Sequence, residues 1–229
     1  MVGAAPSPNP SHEVKLSDLY TALAGVRGKS FRESTKGNSI ECSFSRKLKN
    51  VIGPLAFDMA QLFLKGSIVI DLGCGTPSGN GERLAVLSGA KGYLGIDKFN
   101  TRDSAPRKPY EDSEIQCAYV RADMLEALKM LPDESGSISI TNIDAVIIRD
   151  DEYRQAVALE IARVVKPGGI IITNSFDVLM HLPGKIVIDG QTFTQGESHY
   201  TWEAHYRVRR ESHTLGWLKW SRVACLIKK

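Results

Sequence analysis

Two short segments of the chain hold residue types that could grip a ligand with backbone and carboxylate together. The first is Val69-Ile70-Asp71-Leu72-Gly73-Cys74-Gly75-Thr76-Pro77-Ser78-Gly79, an apolar run that ends in an acid and opens into a glycine-rich turn ahead of a Leu- and Ala-rich stretch. Glycines let backbone N–H groups come close to a bound molecule, and the N-terminus of the helix expected next favours a carboxylate or phosphate. The second is Gly95-Ile96-Asp97-Lys98, whose acid, just after the next apolar run, is placed to accept hydrogen bonds from both hydroxyls of a ribose. A nucleotide-like ligand is expected in the crevice between them.

The elements that must position these residues follow from the hydrophobic pattern. Ile68-Val69-Ile70, Gly92 to Ile96, Ala118-Tyr119-Val120, Ala145-Val146-Ile147-Ile148 and Ile170-Ile171-Ile172 are short apolar runs separated by segments of helical period. Such runs fit strands buried on both faces of a parallel sheet, with crossover helices between them, so a doubly wound α/β sheet with helices on both faces is predicted. The rhythm breaks near the end. Lys185 to Ile188 and Gln191 to Thr194 flank Asp189-Gly190, the signal of a hairpin, read as an insertion over about 184–195. His205 to Arg209 and Ser221 to Ile227 then read as an antiparallel C-terminal strand pair.

At the other end, residues 1–45 read as an extension: a proline-rich tail through Ser11, and a short helix on Val14, Leu16, Leu19, Tyr20 and Leu23 that could act as a lid. The polar, basic stretch Gly28 to Lys49 leads to a helix near Val51 to Leu64, and the main domain is assigned to 46–229.

Composition is ordinary for a folded domain, with 42% hydrophobic and 24% charged residues among 229. The net charge of +3 is too small to imply nucleic acid by itself, and the basic run Arg46-Lys47-Leu48-Lys49 reads first as a solvated face. No apolar run is long enough to cross a bilayer, and neither a secretory signal nor a membrane partner is expected, which makes the cytoplasm the expected location. Cys42, Cys74, Cys117 and Cys225 lack paired spacing and read as reduced thiols.

On Asp71-Leu72-Gly73-Cys74-Gly75, the acid Asp97, Arg121-Ala122-Asp123-Met124 and Glu160 to Gly169 with its Lys166-Pro167-Gly168-Gly169 turn, the chain resembles the class I S-adenosylmethionine-dependent methyltransferases, from about Ile68 onward. The resemblance implies a mainly parallel seven-stranded sheet and S-adenosylmethionine as cofactor. It implies that Gly73, Cys74 and Gly75 line the methionine end, that Asp97 with Lys98 holds the ribose, and that Asp123 takes the adenine amino group beside the Met124 backbone. Asp71 would orient the turn or reach the cofactor's amino group through water. The chain departs from the family at Thr76-Pro77-Ser78-Gly79-Asn80-Gly81, where many members run Gly-Thr-Gly straight into the helix, so an altered or enlarged turn is expected.

The acceptor side is read as candidates. Arg149 and Asp150 follow the run taken as the fourth strand, where the family places residues near the cofactor and the transferred methyl. Arg149 is assigned to the cofactor and Asp150 to catalysis, while Asp151 and Glu152 suit helix capping. His181, His199 and His205 could each serve as a base, and His181 is singled out because it lies past the fifth strand. Tyr200, Trp202 and Tyr206 could wall a substrate or simply pack. Asp150 and Asn174 lack a second carboxylate beside them, so no metal site is expected. The expected reaction is methyl transfer to an oxygen or nitrogen of a small-molecule acceptor. RNA or protein as acceptor, a non-catalytic binding protein, and a nicotinamide oxidoreductase are the alternatives.

Overall fold

Along the first strand, Ile68, Ile70 and Leu72 face one hydrophobic cluster while Val69 faces another, and all four are buried. That two-sided burial is the reason a sheet here must carry helices on both faces. The computed structural model describes residues 13–28, 60–75, 80–98, 103–109, 111, 113–140, 150–173, 181–188, 191–195, 200–212 and 218–229.

In chain order the elements are α1 (Leu16–Ala22), β1 (Ile68–Leu72), α2 (Asn80–Leu87), β2 (Gly92–Asp97), β3 (Ser104–Arg107), β4 (Gln116–Arg121), α3 (Met124–Met130), β5 (Ser137–Ile140), α4 (Asp151–Val164), β6 (Ile170–Thr173), β7 (Gly184–Ile188), β8 (Gln191–Gln195), β9 (Thr201–Ser212) and β10 (Leu218–Lys228). They form one ten-stranded sheet in the order β3-β4-β2-β1-β5-β6-β10-β9-β7-β8. The strands from β4 to β6 are parallel, and β10 is antiparallel to both β6 and β9.

Among the described residues the seven expected strands become ten. β3 adds one edge, antiparallel to β4. It was not foreseen because Pro106 argues against a central strand, and an edge position is where proline is tolerated. β7 and β8 pair antiparallel, with the Asp189-Gly190 turn outside the described residues, and the pair joins the sheet: β7 pairs with β9 in parallel register, Lys185 opposite Thr201. The C-terminal pair is longer than expected. β10 continues from Val223 back to Leu218 beyond its pairing with β6, still matched to Arg207 through Ser212 of β9.

Among the described residues, the position between β1 and β6 is held by Ser137–Ile140; the apolar run Ala145 to Ile148, read as the fourth strand, lies outside them. Ser-Ile-Ser-Ile does not read as a doubly buried strand, yet all four residues are buried. The Ser137 hydroxyl sits 3.1 Å from that of Ser67 and accepts the Ile170 N–H at 3.2 Å, so the polar atom is satisfied inside the sheet.

The two faces have distinct coverings. α1, α3 and α4 pack on the side of Ile70, Leu94 and Ile96, with Leu19, Leu128, Val157 and Ile161 fully buried there. On the other side α2, through Leu84 and Ala85, joins Ala60 and Leu64 of the helical residues 60–64 against Val69, Tyr93 and Ile172. Each such large aliphatic side chain contributes roughly 1.5–3 kcal/mol on burial.

The N-terminal helix packs into this core through Leu16 and Leu19, with Leu23 just after it. Leu16 packs where Gly92 has no side chain, and Lys91 binds both Glu13 at 2.6 Å and the Val14 carbonyl at 3.2 Å. The expected boundary at 45/46 lies outside the described residues, as do the proline-rich tail and the Arg46 to Lys49 run. The Lys166 to Gly169 turn behaves as read: α4 ends at Val164, Gly168 adopts φ 69°, and the Gly169 N–H closes on the Lys166 carbonyl at 2.8 Å, feeding β6.

Candidate functional site

The candidate site lies at the carboxyl ends of β1, β2 and β4, beside the point where β1 pairs with β2 on one side and β5 on the other. In open α/β sheets such a switch point is where ligands bind.

The glycine turn grows directly out of β1. Gly73 and Cys74 donate N–H bonds to the Ile96 carbonyl at 2.8 and 3.2 Å, and Gly75 donates to Oδ2 of Asp97 at 3.0 Å. The turn and the expected ribose acid are thus one unit. Gly75 has φ 68°, a conformation that a side chain would strain, and a Cβ built there meets nothing within 4 Å. Cys74 is buried among Tyr93, Tyr119 and Leu84, so its thiol faces the core; a ligand would meet only its backbone.

Asp71 lies beneath the turn with no exposure. The Tyr93 hydroxyl donates to its Oδ2 at 2.7 Å. α2 approaches so closely that a Cβ on Gly81 would stand 1.9 Å from that same oxygen. Burial pushes the Asp71 carboxyl up to about 7, opposed by the hydroxyls of Tyr93 and Ser139 and helped by the nearby charge of Asp97. A group so enclosed can shape the turn from below. The Tyr119 hydroxyl likewise donates to the buried carboxylate of Glu82, and the rings of Tyr93 and Tyr119 meet edge-on at 5.7 Å.

One strand further out, Asp123 is the N-cap of α3. Its Oδ1 accepts the N–H groups of Leu125 at 3.0 Å and Glu126 at 3.4 Å, and the hydroxyl of Tyr153 from α4 at 3.0 Å. Lys98 stands 3.5 Å from Oδ2. Asp97 and Arg121 are register partners, so Asp97 and Asp123 sit at the ends of neighbouring strands. Met124 is the first residue of α3 and packs partly into the core.

Asp150 is exposed and caps α4, accepting N–H bonds from Glu152 at 2.9 Å and Tyr153 at 3.4 Å, which places the cap one residue before the pair expected to supply it. His181 Nε2 lies 3.9 Å from Asp151, too far for a hydrogen bond. It therefore stands at the same helix start as Asp150. Trp202 is fully buried, with its indole N–H on the Pro183 carbonyl at 3.0 Å, and packs against Tyr200; it is core, not substrate wall. Arg149, Thr76 to Gly79, Asn174 and His199 lie outside the described residues, and of His205 and Tyr206 only the place in β9 is described.

Sequence reasoning passed over Tyr93, Tyr119 and Tyr153. A signal existed for the first two: a tyrosine inside an otherwise buried strand needs a partner for its hydroxyl, and two acids, Asp71 and Glu82, flank the turn.

With β3 and the β7–β8 hairpin set aside, the order β4-β2-β1-β5-β6-β10-β9 with an antiparallel β10 is the arrangement of the class I S-adenosylmethionine-dependent methyltransferase fold. No protein-family model matches the chain, and no curated protein does. Among solved structures it is similar to a SAM-dependent methyltransferase from Archaeoglobus fulgidus, at 16% identity, covering 83% of this chain and 98% of that one, with a TM-score of 0.48. It is also similar to TrmN from Thermus thermophilus, at 15% identity over 81% of this chain and 53% of TrmN, TM-score 0.46. A third is a SAM-dependent methyltransferase from Methanosarcina mazei, at 14% identity over 74% of this chain and 96% of that one, TM-score 0.42. At these values the fold rests on the strand order and registers themselves, and activity has to be argued from the site.

Proposed function

We propose that the chain binds S-adenosylmethionine across the ends of β1, β2 and β4 and transfers its methyl group to an oxygen or nitrogen of a small-molecule acceptor. The observation that carries this reading is the bond from the Gly75 N–H to Asp97, which ties an open, positive-φ turn to an acid at the next strand end. The residues suit an adenosyl cofactor: Asp97 offers a carboxylate to a diol, Asp123 offers a second to an exocyclic amine, and the space above Gly75 takes the amino-acid end.

The cofactor, when bound, supplies an already electrophilic methyl group on a sulfonium. The protein's share is alignment and exclusion of water, so that the acceptor atom lies in line with the departing sulfur. Asp97 and the turn fix one end of the cofactor and Asp123 the other. Asp71, beneath the turn, holds the turn's shape through Tyr93 rather than meeting the ligand. His181, beside the start of α4, is the candidate to take a proton from the acceptor, with Asp150 as the alternative.

Calorimetric titration with S-adenosylmethionine, its demethylated product and NAD tests the cofactor. Tighter binding of NAD sinks the reading. Incubation with labelled cofactor across a panel of hydroxyl and amine acceptors tests turnover; binding without transfer would make the chain a non-catalytic cofactor-binding protein. One observation favours RNA as a second class of acceptor. The stretch of β9 and β10 that runs beyond β6 contains Arg207, Arg209, Arg210, Lys219 and Arg222. Transfer to RNA that falls steeply with salt would support it.

A further inference from the structure

The Asp123 carboxylate is held more firmly than an N-cap requires. Two backbone donors, Leu125 and Glu126, reach Oδ1, as at any capped helix. The third donor does not belong to that helix. Tyr153 comes from α4, its ring packs against the main hydrophobic cluster, and its hydroxyl meets Oδ1 at 3.0 Å. Burial, and then the adjacent Asp123 charge, raises the Tyr153 phenol above its ordinary range, so it remains a donor wherever the protein is folded.

Three donors on Oδ1 use up that oxygen, because a carboxylate oxygen offers about two good acceptor directions. Oδ2 is left with Lys98 at 3.5 Å, longer than the 2.7–2.9 Å typical of a tight charged pair. The side chain of Asp123 is 18% exposed, so the carboxylate is not fully enclosed by the protein.

We propose that Tyr153 is a positioning residue for cofactor recognition: by holding Oδ1 it stops the carboxylate from rotating and presents Oδ2 to the exocyclic amino group of adenine. This rests on the reading that the crevice takes S-adenosylmethionine with its adenine at the end of β4. The chemistry then sets a selectivity. A fixed, charged acceptor attracts a 6-amino purine and repels a 6-oxo purine, whose ring substituent is itself an acceptor. Without the Tyr153 hydroxyl the carboxylate can turn, and the preference weakens.

The test compares S-adenosylhomocysteine with S-inosylhomocysteine, its 6-oxo counterpart, on wild type and Tyr153→Phe by calorimetry. Wild type should bind the adenine form more tightly. Tyr153→Phe should weaken that form by about three- to tenfold, the worth of one hydrogen bond, and leave the 6-oxo form within about twofold. The 6-oxo ligand also reports whether the variant's crevice is folded. Equal loss for both ligands would make Tyr153 merely structural and overturn the proposal, as would unchanged affinity for the adenine form. If wild type binds neither ligand, the cofactor reading itself fails and the proposal falls with it. If wild type binds both alike, the cofactor reading stands and only the adenine assignment of Asp123, with Tyr153 behind it, is overturned.

Discussion

The Tyr93 hydroxyl and the Asp71 carboxylate are joined at 2.7 Å inside a strand end that water does not reach. A buried carboxylate without a donor is costly, and the single tyrosine from the neighbouring strand offsets part of that cost. Tyr93→Phe should therefore destabilise the fold by about 1–3 kcal/mol in urea denaturation. The loss should be larger at pH 8, where Asp71 is charged, than at pH 5. Equal losses at both pH values would contradict this account.

Asp71 also gives stability a pH dependence of definite sign. Its folded value, about 7, lies above the ordinary 3.8, so between those limits the folded state holds a proton that the unfolded chain releases. Stability from this group is full below about 4, falls as pH rises toward 7, and levels off above. Asp71→Asn removes the slope. Wild type should lose on the order of a few kcal/mol relative to that variant between pH 4.5 and 7.5. Parallel stability profiles would refute the raised carboxyl.

Gly81 permits α2 to start against that same carboxylate. In Gly81→Ala the new Cβ would have to displace an oxygen 1.9 Å away, and the strain should cost about 1–3 kcal/mol. The clash has a specific partner, so the double variant with Asp71→Ala should cost less than the sum of the two single changes. Strict additivity in thermal melts would show that the helix simply shifts.

Asp97 is the sharpest test of the cofactor reading. Asp97→Ala should lower affinity for S-adenosylhomocysteine by about 1.5–3 kcal/mol, the worth of hydrogen bonds to a charged group, with circular dichroism unchanged. Unaltered affinity would remove Asp97 from the ribose.

Two helix caps can be compared. Asp150→Ala should cost about 1 kcal/mol of stability, the loss of a cap that accepts two backbone N–H bonds, and Asp123→Ala more, because it also leaves the Tyr153 hydroxyl without its partner. Only Asp123→Ala should weaken cofactor binding. If Asp150 acts on the acceptor, its replacement should lower kcat and leave cofactor affinity alone.

The sheet was legible wherever aliphatic runs announce double burial, as at Ile68 to Ile70, Gly92 to Ile96 and Ile170 to Ile172. Ser137–Ile140 was not foreseen as a buried strand, because its two serines break the apolar pattern; inside the sheet the Ser137 hydroxyl pairs with that of Ser67. The glycine turn and the strand-end acids were readable because their chemistry depends on residue type at fixed local spacing. The tyrosines that brace the acids were not, since Tyr93 meets Asp71 across strands and Tyr153 meets Asp123 across helices. The place of α1 was hidden for the same reason: its seat is the missing side chain of Gly92, far along the chain.

The position of β10 governs the order in which the molecule can be assembled. It lies between β6 and β9, and within the described sheet β7, β8 and β9 are hydrogen-bonded to the parallel strands through it alone. On a ribosome, residues 184–212 emerge before their only bridge to the sheet has been made. They must wait with an unpaired edge, the state most open to association with other chains. β10 thus acts as a clasp between the parallel strands and the β7–β9 group.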